Sequence, residues 1–199
     1  MSYTPSMRPH YLAGLALTIF AYLATNYIMH VNSISPGVAP TPAVQTPDQP
    51  STPLGQMTKS SACVATGGLA DKACTPGAII AGATKDQICV PGYSKKVRNV
   101  PSAEKTQVYN AYGISSHQPN EYEVDHLIIL ELGGSNDVAN LWPELAQPSP
   151  GFHEKDLVEN YLHAQVCQGT MALADAQQKI ATDWLAVYRS IPNPSAYKY

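Results

Sequence analysis

The chain lacks a basic surplus. Its 199 residues carry 12 Lys and Arg against 15 Asp and Glu. From Cys63 onward, 10 basic residues face 14 acidic ones. Such a chain cannot hold a nucleic acid by bulk phosphate attraction and would need a local basic patch and a metal ion. No CxxC spacing is present, which argues against a structural zinc site. There is no glycine-rich phosphate loop, no Gly-x-Ser-x-Gly nucleophile turn and no internal repeat. Charge is also missing from Tyr11 to Met29, YLAGLALTIFAYLATNYIM, 19 residues long. That length nearly spans a hydrocarbon core, which takes ~20 residues. Arg8 precedes it and no Lys or Arg follows until Lys59, so the positive-inside bias puts the amino terminus in the cytoplasm and the rest outside. The segment is expected to be an uncleaved signal anchor, with a cleaved signal peptide and a secreted domain as the alternative.

What is present sorts into three regions: a signal anchor or signal peptide over 1–31, a linker over 32–62 and a domain over 63–199. The linker is rich in Pro, Ser and Thr; proline at that density forbids helix and gives a semi-stiff spacer. Four cysteines allow three pairings, and an even count beyond an export segment suits disulfides in an oxidising compartment. Cys63–Cys74 and Cys89–Cys167 are the expected pairs. Within the domain, loops and short strands are expected from Cys63 to Val90. A helix is expected over Ala103–Tyr112 behind an N-cap at Ser102, another from Phe152 to Gln168, and a last one from Met171 to Ser190 capped by Thr170.

The centre of the domain is Glu121–Glu144, EYEVDHLIILELGGSNDVANLWPE. Tyr122 and Val124 begin a strand alternation. Asp125 and His126 interrupt the apolar run that continues to Leu130, and polar groups there are costly to bury unless paired or bound. On a regular strand the two side chains point to opposite faces. A turn cluster, Gly133 to Asp137, leads to Asn140-Leu141-Trp142. The only dense basic cluster follows Tyr93: Lys95, Lys96 and Arg98. Of these, Arg98 best suits phosphate oxygens because its donors form a fork.

These motifs together resemble the HNH, or ββα-metal, nuclease family, in a form similar to exported bacterial or phage HNH-type proteins. Weaker likeness in the flanks extends the resemblance over roughly Cys74–Arg189. It implies an α+β fold, with a small ββα-metal core plus flanking helices. It also implies a metal-dependent endonuclease that hydrolyses phosphodiester bonds, leaving 5′-phosphate and 3′-hydroxyl ends. His126 would be the general base; with an unperturbed pKa of ~6.5 it stays largely neutral near pH 7. Asn140 would fix the loop that orients it, and Asp125 would bind one divalent ion, Mg²⁺, Mn²⁺, Ni²⁺ or Zn²⁺. His153 and His163 are rival second ligands. The expected partner is nucleic acid, DNA ahead of RNA, with the membrane through the amino-terminal helix; an inhibitor or secretion partner is left open. The alternative is a catalytically inactive envelope or surface binding module of the same fold.

Overall fold

A computed structural model describes residues 54–198. The expected anchor over 1–31 and the linker up to residue 53 lie outside the described residues. Among the described residues no helix is long and apolar enough to cross a membrane.

The architecture is α+β with one small two-stranded sheet. In chain order the elements are α1 (Lys85–Ile88), α2 (Tyr93–Val97), α3 (Ser102–Ala111), β1 (Tyr122–His126), β2 (Leu141–Leu145), α4 (Phe152–Cys167) and α5 (Leu173–Ser190). Strands β1 and β2 pair antiparallel, with Asp125 opposite Trp142 and His126 opposite Leu141. A two-stranded hairpin is not stable alone in water and needs something to pack on. Here α3 covers one part of it through Val108, which meets Val124 and Leu141. The main core lies beyond the hairpin, where Ile128 and Leu132 of the intervening loop meet Val158 and Leu162 of α4 and Ile180 and Trp184 of α5.

Several sequence expectations need correction. Strand β1 ends at His126, before the apolar run does: Leu127–Ile129 leave the strand and Leu130–Leu132 make a 3₁₀ turn. The reason is burial on all sides. Leu127, Ile128, Ile129 and Leu130 are each at most 5% exposed, so this run is a core plug and not an alternating strand. Helix α3 starts at Ser102 behind Pro101. Helix α5 starts at Leu173, because the Thr170 hydroxyl donates back to Gln165 and closes the preceding helix instead. Asp183 breaks the helical geometry of α5, and its carboxylate accepts from the Ala186 amide, so the second half restarts with its own cap. Leu54 to Ala62, assigned to the linker from composition, packs on the domain. The Thr58 and Lys59 amides both donate to the Ala73 carbonyl, the Lys59 ammonium pairs with Asp71, and Leu54 meets the main core.

Both expected disulfides are present. Cys63–Cys74 closes the first described loop. That loop is also held by the Trp184 indole, which donates to the Gly68 carbonyl. Cys89–Cys167 joins the end of α1 to the end of α4 across 78 residues. A closure of that size removes unfolded-chain entropy worth about 4.5 kcal/mol in the chain-entropy picture. Replacing both Cys89 and Cys167 by Ser is therefore expected to lower unfolding free energy by roughly 2–5 kcal/mol. Urea titration of the variant against the parent protein checks this.

Candidate functional site

The site is built on a loop pinned from inside. Asn140 is fully buried. Its side-chain oxygen accepts from the Ile128 amide at 2.9 Å and the Ala78 amide at 3.4 Å. Its amide nitrogen donates to the Ile128 carbonyl at 2.8 Å and the Ser135 carbonyl at 2.9 Å. One side chain thus satisfies the end of β1's continuation, the turn at Ser135 and the segment at Ala78. The glycines before it make this closeness possible. Gly133 has φ +74°, and a Cβ on Gly134 would lie 1.7 Å from the Ile128 carbonyl oxygen, so only glycine fits.

The clamp leaves Asp125 and His126 on opposite faces of β1, as a regular strand requires. His126 is 1% exposed. Its Nε2 lies 3.2 Å from the Asn136 side-chain oxygen. The Asn136 amide nitrogen donates to the Val97 carbonyl and its oxygen also accepts from the Asn99 amide, so it is the oxygen that faces the ring. An oxygen there can only accept, so Nε2 carries the proton and Nδ1 is left as the acceptor. Nδ1 has no hydrogen-bond partner among the described residues. Burial holds the imidazole below its ordinary pKa, with Asp125 and Asn136 opposing and Arg98 and Lys155 reinforcing the shift. The ring is neutral at pH 7 and able to take a proton.

On the other face the central group is one that sequence reasoning passed over as a site residue. Lys155 of α4 is fully buried. Its ammonium donates to Asp125 Oδ2 at 2.5 Å, to the His126 carbonyl at 2.9 Å and to Glu159. Glu144 of β2 stands 3.9 Å away. The Lys155–Asp125 pair is ionised: against the effect of burial, Asp125 foremost holds the ammonium well above its usual range, and Lys155 holds Asp125 below its own. Glu144 is pushed well up by burial, then by Asp125 and Glu159. Neither Glu144 oxygen accepts a hydrogen bond; protonated, the acid can donate to Asp125 beside it. Glu159 is pushed up to about 8, first by burial and then by Asp125, with Lys155 opposing. The cluster is thus one ion pair, Lys155 with Asp125, beside two acids whose carboxyls burial drives toward the neutral form.

The residues proposed for a metal ion do not converge. Asp125 is committed to Lys155. His163 Nε2 faces the Ile88 carbonyl at 3.1 Å and Cys167 Sγ at 3.3 Å. It lies eight residues past Lys155, about 12 Å along the helix. His153 is two residues before Lys155, roughly 200° around the axis. It is exposed, beside Phe152, in a cleft of about 580 Å³ that also takes in Lys105, Tyr109 and Glu123. Asp125, His153 and His163 as placed do not fit one divalent ion. Among the described residues, three candidate donors meet within 4.8 Å only at Cys89, His163 and Cys167, and there the sulfurs are joined in the disulfide.

Of the basic cluster, Lys95 and Lys96 point into solvent on α2, and Arg98 is exposed while acting electrostatically on both His126 and Glu123. Arg98 is therefore brought to the site; nothing ties the two lysines to it.

Two outcomes follow from this geometry. Asn140→Ala leaves buried backbone groups without partners and is expected to cost about 3 kcal/mol or more, read from urea unfolding. For Glu159, the pKa is 4.5 in a free chain and about 8 when folded, so the folded state binds its proton more tightly. The stability gained is full below 4.5 and is lost as pH rises toward 8. Between pH 6.5 and 8 the parent protein is expected to lose stability, and Glu159→Gln to flatten that slope, as measured by unfolding at several pH values.

Comparison with known family models, curated proteins and solved structures finds no match to this chain.

Proposed function

We propose that this domain is an HNH-type endonuclease, a hydrolase of nucleic-acid phosphodiester bonds, with His126 as general base. The observation that supports it most is the state of that ring: neutral, its Nε2–H held by Asn136, its Nδ1 left as acceptor. A base so tuned and oriented is worth about 10²–10⁴-fold in rate. Asn140 acts through the loop, as a positioning residue. Arg98 supplies positive charge beside the imidazole and suits a phosphoryl oxygen. The substrate is DNA ahead of RNA. The two disulfides support a domain on the extracytoplasmic side of a membrane, which agrees with the expected signal anchor.

A second reading has its own support. The His126 ring is 1% exposed and Asp125 is bound to an internal ammonium. Both suit a module that keeps this architecture for binding and does not cleave. Supercoiled plasmid separates the two. The full chain is expected to nick it, and His126→Gln to slow nicking by about 10²–10⁴-fold with an unchanged circular dichroism spectrum. Undiminished nicking by that variant removes His126 from the mechanism. Salt-sensitive binding of DNA without nicking by the parent protein selects the binding module.

A further inference from the structure

We infer that Lys155 is the resident cation of the Asp125 site: its ammonium occupies the oxygen cradle where the family resemblance would put a divalent ion. The cradle has four contributors from three elements. Asp125 and the His126 carbonyl come from β1, Glu144 from β2 and Glu159 from α4. All four contributors are oxygens, but the three carboxylates do not close to within 4.8 Å of one another, so the set is spaced for the ammonium and not for a divalent ion. An ammonium has three N–H donors, and all three are used, on Asp125, Glu159 and the His126 carbonyl.

Three features make the lysine a component of the site and not a bystander. It is 0% exposed, so its charge is not solvated and must be met by the cradle. It bonds the backbone of His126 itself, so the same contact that neutralises Asp125 also fixes the strand carrying the imidazole. And Glu144 is buried with neither oxygen accepting a hydrogen bond, its Oε2 3.9 Å from the ammonium. A divalent ion on Asp125 would meet the fixed positive charge on Lys155, and the two cannot share Asp125 Oδ2. Lys155 is thus a positioning residue that does the holding work of a metal ion by means of a side chain.

The inference concerns the cradle and stands apart from the nuclease reading. Its test is thermal melting of the full chain with and without Mg²⁺, Ca²⁺, Mn²⁺, Ni²⁺ or Zn²⁺, against sodium chloride of matched ionic strength and a chelator control. The expected result for the parent protein is no saturable rise in Tm that depends on Asp125. Lys155→Ala is expected to melt lower, because it leaves Asp125 and the His126 carbonyl without their partner. A saturable, divalent-induced rise in the parent Tm that Asp125→Asn abolishes overturns the inference. The parent measurement decides even if Lys155→Ala does not fold. Absence of nicking with an ion-indifferent parent removes the nuclease reading and leaves the inference intact. Nicking that a chelator abolishes, together with the Asp125-dependent Tm rise, does the reverse.

Discussion

Taking an ammonium and its carboxylates out of water is expensive, and a buried pair holds only when geometry and further hydrogen bonds are good. Lys155 meets that condition by bonding β1 twice and its own helix once, with Glu144 of β2 3.9 Å away. Helix α4 is bound to β1 through Asp125 and the His126 carbonyl, and Glu144 brings β2 against the same charge. The hairpin would be marginal alone. It is fixed to the helix on this face by charge and on the other by Val124 and Leu141 under α3. The same economy appears in protonation. Lys155 holds Asp125 ionised, while burial drives Glu144 and Glu159 toward the neutral form and so limits the negative charge left inside.

Position of the imidazole depends on a second, uncharged device. Asn140 spends all its hydrogen-bonding capacity on backbone groups of three segments. Nothing of its side chain remains for an ion or a substrate. Its part in any chemistry is geometric, and it works only because Gly134 lets the chain pass against the Ile128 carbonyl. The lysine cluster and the asparagine clamp grip consecutive stretches of one chain segment, Asp125–His126 and Ile128.

Much of this was legible in the residues. Asp125 and His126 on opposite faces follow from strand geometry, the loop-fixing asparagine is what the family resemblance implies, and the disulfides are expected from an even count of cysteines. Lys155 was not singled out, because a lysine between two acids on a helix looks like solvated surface. A signal was there: Lys155, Val158, Leu162 and Val166 follow one buried stripe, so the lysine stands in register with the core. His163 misled for a related reason. The family resemblance made it a rival ligand, but helical rise carries it beyond reach of Asp125. The early end of β1 was hidden because an apolar run buried on every side has no alternation to read.

The Asn136 amide joins the basic segment to the imidazole. It grips the backbone at Val97 and Asn99 with one hand and His126 with the other. The ring and the arginine-bearing stretch are therefore joined through one planar amide, the group that also sets the tautomer. A shift of the Val97–Asn99 backbone would move the oxygen that holds the Nε2 proton, so the imidazole's tautomer depends on where that segment lies.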